Sequence, residues 1–131
     1  MGSDQILAKI VSNTAVSPPL PTPSAYSLTT TASTNAAIVK SSAGVLEEIT
    51  ASNVTATAAY VKLYNKASAP TVGTNVPVLT IPVAAGATIP LSFGPLGKRF
   101  TTGIAIAVTA AAAATDTAAA VAGVQIHASY V

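Results

Sequence analysis

From residue 36 onward, apolar and polar positions alternate with a period of two, the spacing that sends successive strand side chains to opposite faces. Ala36-Ala37-Ile38-Val39-Lys40 reads as a first strand, closed by Ser41-Ser42-Ala43-Gly44. Val45-Leu46-Glu47-Glu48-Ile49-Thr50 reads as a second, running to the turn residues Ser52-Asn53. Ala58–Tyr64 is a third: Val61 and Leu63 share one face, and Tyr60, Lys62 and Tyr64 share the other. A loop with Pro70 and Gly73 follows over Asn65–Val76. Further strands are expected at Val78–Val83, Thr88–Phe93, Thr102–Thr109 and Val124–Val131.

Short strands separated by Gly and Pro turns specify an all-β domain, a single antiparallel β-sandwich that is either jelly-roll-like or immunoglobulin-like. Ile89, Leu91 and Phe93 are expected to face inward, as are Ile104, Ile106 and Val108. Pro82 and Pro90 cannot donate to a ladder and mark edge positions, strand ends or bulges. Ala110–Ala122 is rich in alanine, which favours helix. With Thr115-Asp116-Thr117 in its middle, it is expected to be a loop with a short helical turn.

The first 34 residues follow a different pattern. Pro18, Pro19, Pro21 and Pro23 crowd around Leu20 and Thr22. Each proline fixes φ, removes a donor and holds the residue before it extended. Residues 1–34 are therefore expected to be an extended proline-rich N-terminal arm, and residues 35–131 the sandwich domain. Leu28–Thr34 is β-prone but polar, suited to a linker or an added edge strand. Ordering a backbone costs about 1–2 kcal/mol per residue. An arm with so little to bury is expected to lie against another subunit.

Composition narrows the choice of function. The chain has 131 residues, enough for one modest core. Half of its residues are hydrophobic, but only 5% are aromatic and none is Trp. Ala, Val and Thr supply the bulk, so the core is built from small pieces and association with neighbours would add stability. Charged residues are 8% of the chain and sum to +2. The only adjacent basic pair is Lys98-Arg99, far short of the basic stripe that nucleic acid requires. A surface so poor in charge suits a protein buried against neighbours better than a free monomer. Without cysteine there is neither a disulfide nor a thiolate metal site. The Ala-rich stretch 104–123 is interrupted by Asp116 and is too weakly hydrophobic to suggest a membrane span.

Reactive side chains are few. His127 is the only histidine, and no spacing joins it to a nucleophile and an acid or to further metal ligands. Glu47 and Glu48 are neighbours and would point to opposite faces of a regular strand. No glycine-rich phosphate loop is present. Asn53-Val54-Thr55 matches a glycosylation sequon, read as accidental without a secretory signal. Neither catalytic, cofactor nor metal residues are assigned. Candidate partner contacts are Pro18, Pro19, Leu20, Pro21, Pro23, Tyr26 and Leu28 on the arm, with Tyr60 and Tyr64 on an exposed strand face.

Four segments together carry a family resemblance: Tyr60-Val61-Lys62-Leu63-Tyr64-Asn65-Lys66, Ala69-Pro70-Thr71-Val72-Gly73-Thr74, Pro77-Val78-Leu79-Thr80-Ile81-Pro82 and Arg99-Phe100-Thr101-Thr102-Gly103-Ile104-Ala105. In these the chain resembles small virion proteins of tailed bacteriophages, over roughly residues 36–131. The matching residues look like scaffold and turn positions, so no catalytic role transfers. The resemblance implies a non-enzymatic capsid decoration or cement protein. Such a protein would sit on the outer capsid surface of the virion, assemble in the host cytoplasm and form a homo-oligomer, commonly a trimer. It would bridge neighbouring major capsid protein subunits with its arm as anchor. The alternative within the same particle is a head-fibre, tail or baseplate module that binds host surface carbohydrate.

Overall fold

The computed structural model describes residues 21–131. It has nine strands: β1 (Ser24–Thr29), β2 (Ala37–Lys40), β3 (Gly44–Asn53), β4 (Ala59–Asn65), β5 (Leu79–Val83), β6 (Thr88–Ser92), β7 (Lys98–Phe100), β8 (Ile104–Thr109) and β9 (Val124–Tyr130). They form two antiparallel sheets. One has the order β1-β9-β3-β6, with β7 alongside β3 beyond the end of β6; the other has the order β2-β8-β4-β5.

The pairings are nested. β4 and β5 form the innermost hairpin, β3 pairs with β6 and β7, β2 with β8, and β1 with β9. From Ser24 to Tyr130 the chain is thus one long antiparallel hairpin, and rolling it up brings β9 onto β3 and β8 onto β4. Counting β6 and β7 as one interrupted strand, this is the eight-strand order of a jelly roll. Of the two sandwich types expected, the immunoglobulin-like one is not formed.

The alternating positions converge between the sheets. Leu46, Ile49, Val61, Leu63, Val83, Phe100, Ile104, Ile106, Val108, Val124 and Ile126 are buried in one cluster. Ile89, Leu91 and Phe93 pack against it half-buried, facing inward as the sequence predicts. Pro82 and Pro90 lie on the edge strands β5 and β6. Between residues 110 and 122 there are turns and an isolated bridge from Thr109 to Ala119 rather than helix. Asp116 organises this loop by accepting from the backbone N–H of Ala111 at 3.0 Å and of Ala118 at 3.3 Å. No helix among the described residues is long and apolar enough to cross a membrane.

Two departures from the expected pattern have clear causes. Residues 24–34 belong to the sandwich. Ser24–Thr29 pair along their whole length with β9, and buried Thr30 exchanges backbone and hydroxyl hydrogen bonds with Val124, Gly123 and Val121. The predicted arm therefore joins the domain at Pro21–Pro23, and residues 1–20 lie outside the described residues. The second departure is a register shift in β3 between Leu46 and Glu48. Leu46 and Ile49 both reach the core, so this bulge keeps Glu47 and Glu48 alike out of it.

Asn53 closes the β3–β4 connection from a fully buried position. Its amide donates to the carbonyls of Thr57 (2.8 Å) and Val83 (3.1 Å), and its Oδ1 accepts from the N–H and hydroxyl of Thr55. In the folded chain this amide is committed and enclosed. Asn53→Ala is expected to lower stability by about 1–3 kcal/mol, since it strands buried partners. Urea unfolding checks this, and an unchanged midpoint would contradict it.

Candidate partner-docking site

The outer faces of the two sheets differ. On the β4–β8 sheet, Tyr60, Lys62 and Tyr64 do share a face, as the alternation requires, but that face is not open. Lys62 is 0% and Tyr64 1% exposed. Ala105 and Ala107 of β8 are small enough to let the chain close over them, and Val72 packs there with Tyr64. The covering segments are the β4–β5 loop and the β8–β9 loop, which meet at Gly73. A Cβ at that residue (φ +89°) would lie 2.5 Å from Thr117 Cγ2. The Tyr60–Tyr64 face is thus corrected from a partner surface to a floor beneath the protein's own loops; Tyr60 alone is partly exposed.

This cover has a polar defect. Lys62 Nζ donates to the Ala113 carbonyl at 2.6 Å, pinning the β8–β9 loop to β4. The Tyr64 hydroxyl is buried without a hydrogen-bond partner, and burial raises its pKa above the usual 10.0. Tyr64→Phe removes an unsatisfied group and is expected to raise stability by about 1–3 kcal/mol. Between the ordinary phenol value and the raised one, the folded state holds a proton that the unfolded state has lost. Stability therefore falls as pH climbs past 10.0. The Phe variant is expected to show a shallower fall, measured by urea titration across that range; equal slopes would contradict the assignment.

The β1–β9–β3 sheet presents an open face of Ser27, Thr29, Gln125, His127, Glu48 and Thr88. His127 lies between Ser27 and Thr50, and its Nδ1 is 3.0 Å from the Ser27 hydroxyl. Among the described residues no carboxylate hydrogen-bonds this ring, and no group of three His, Cys, Asp or Glu is placed to hold a metal. The pair fixes the ring on a flat polar surface.

A groove of about 610 Å³ opens at the end of this sheet where the leading segment joins, lined by Pro21, Thr22, Pro23, Glu47, Pro95 and Val131. Its walls follow from the local sequence. Val131 and Val45 exchange backbone hydrogen bonds at 2.9 Å, continuing the β3–β9 pairing to the rim. The β3 bulge leaves Glu47 outside the core, where the Ser129 hydroxyl donates to its Oε1 at 3.5 Å. The β6–β7 turn is pressed onto β3: a Cβ at Gly97 (φ +68°) would lie 2.4 Å from Val45 Cγ1. That tight turn pushes Leu96 outward, 89% exposed beside Pro95. The result is a proline-walled notch with one carboxylate and an adjacent apolar knob.

Of the predicted contact residues, Pro21 and Pro23 line this notch. Tyr26 and Leu28 instead turn inward and pack half-buried against the core, and burial raises the Tyr26 pKa. Pro18, Pro19 and Leu20 lie outside the described residues. Glu47, Pro95 and Leu96 were missed because their proximity depends on the β3 bulge and the β6–β7 turn; only the Gly94-Pro95-Leu96-Gly97 signature pointed to an apolar residue at a turn tip. Compared with protein-family models, with curated proteins and with solved structures, the chain gives no match.

Proposed function

We propose that this protein is a structural component of a tailed-phage virion, a decoration or cement protein without catalytic function. It docks on the outer capsid shell through the notch and the leading residues 1–20 that precede it in the chain, and bridges neighbouring major capsid subunits. The observation that carries the reading is the placement of Pro21, Pro23, Pro95 and exposed Leu96 together at the point where residues 1–20 join the sandwich. Rigid prolines and a preformed apolar knob lose little conformational freedom on docking, which favours affinity from a small contact. Repetition over a symmetric shell multiplies such contacts into avidity. The jelly-roll order agrees with this reading, since viral capsid domains use it, but lectins use it too.

The test is made on particles. Quantitative mass spectrometry should find the protein in a copy number approaching that of the shell protein; a few copies per particle would favour a fibre, tail or baseplate module instead. A variant lacking residues 1–20, with β1 intact, is expected to retain its far-UV circular dichroism and melting temperature while losing at least tenfold in particle association. Undiminished association would exclude the leading segment as anchor. Leu96→Asp is expected to weaken association without loss of fold.

A further inference from the structure

Among the described residues, all edge strands but one carry a device that discourages further pairing. β6 contains Pro90 and β5 contains Pro82. β2 has four residues, a register shift between Ile38 and Lys40, and a lysine at its end. β7 has three residues, two of them Lys98 and Arg99. β1 reads Ser24-Ala25-Tyr26-Ser27-Leu28-Thr29, with neither proline, charge nor register shift, and among the described residues nothing pairs beyond it.

The ladder shows which backbone groups are open. Thr30 N–H donates to the Val124 carbonyl at 2.9 Å, so these two belong to a hydrogen-bonded pair. Bonded and non-bonded pairs alternate along antiparallel strands. Leu28, Tyr26 and Ser24 are therefore bonded to β9, and Ala25, Ser27 and Thr29 turn both backbone groups outward.

We infer that this edge pairs with the same edge of a second copy of the chain, antiparallel about a two-fold axis at Ser27. In that register Ala25 faces the partner copy's Thr29 and Ser27 faces its counterpart, giving three hydrogen-bonded pairs. On the inner face Tyr26 falls opposite Leu28 of the second copy. Both are half-buried in the single chain, and an aromatic–aliphatic cross-strand pair closes the open end of each core. Each chain carries a net +2, yet no charged side chain lies on this strand, so two copies meet there without a like-charge pair. Antiparallel pairing places the Pro21–Pro23 segments of the two copies at opposite ends of the joint ladder, and Pro23, with no N–H, ends the pairing there. This contact is separate from both the shell-docking notch and the threefold association that the family resemblance implies.

The test uses the full-length chain, which has no cysteine of its own. Opposed Cα atoms of a hydrogen-bonded pair are about 5.5 Å apart, within disulfide reach. Ser27→Cys is therefore expected to form a disulfide-linked dimer on mild oxidation. Thr29→Cys alone should not, because its own counterpart lies about four residues away along the strand, on the order of 13 Å. An equimolar mixture of the Ala25→Cys and Thr29→Cys proteins should cross-link. Ser27→Lys, which sets two ammonium groups face to face, is expected to raise the dimer Kd at least tenfold in sedimentation equilibrium, with unchanged circular dichroism. A monomer at all concentrations, equal cross-linking at positions 27 and 29, or a dimer indifferent to Ser27→Lys would overturn the inference. If the lysine variant fails to fold, the three cysteine proteins decide the matter alone.

Discussion

β8 is buried on both faces, and the division of the molecule into a covered and an open side follows from that. Ile104, Ile106 and Val108 enter the core between the sheets, while Ala105, Ala107 and Thr109 are buried on the opposite face. A chain with two Phe, four Tyr and no Trp has few large side chains with which to build a deep single core. Using both faces of one sheet adds apolar burial without adding bulk, since area removed from water is what stabilises. Alanine on the outer face makes this possible, for only a small side chain lets a loop approach the sheet so closely. The cost is local: an ammonium and a phenol are enclosed with them, the first satisfied by one carbonyl and the second by none.

That arrangement makes the two sides of the molecule different. The β4–β8 side is covered by the protein's own loops. The β1–β9–β3 side stays open, polar and nearly uncharged, and its end carries the proline-walled notch. The first edge strand, unguarded by proline or charge, runs from that notch along the same sheet. The proposed self-association along β1 and the proposed docking at the notch thus draw on adjacent but distinct surfaces.

Much of the fold was legible in the sequence because period-two alternation is a local signal. The strand carrying Val61 and Leu63, the inward faces of β6 and β8, and the edge prolines follow from it directly. Choosing jelly roll over immunoglobulin-like topology was beyond local pattern, because it depends on which distant strands pair. The Tyr60–Tyr64 face shows a different limit. Alternation assigns a face correctly but cannot say whether that face is solvent or the floor under a loop, and Gly73 meeting Thr117 is what decides it. β1 went unrecognised over Ser24–Ser27 because the prolines before it read as the continuation of an extended arm. The Glu47–Glu48 bulge breaks the very periodicity used to place side chains, so the carboxylate at the notch could not be foreseen.

We propose that the β1 edge and the notch beside it are surfaces made to be covered. Amide hydrogen exchange on the full chain, dilute and then incorporated in particles, measures this most directly. Rapid exchange is expected at Ala25, Ser27 and Thr29 in dilute solution and marked protection of the same amides on incorporation, with the β8 amides slow in both. Equal exchange at those three positions in the free and incorporated protein would contradict it.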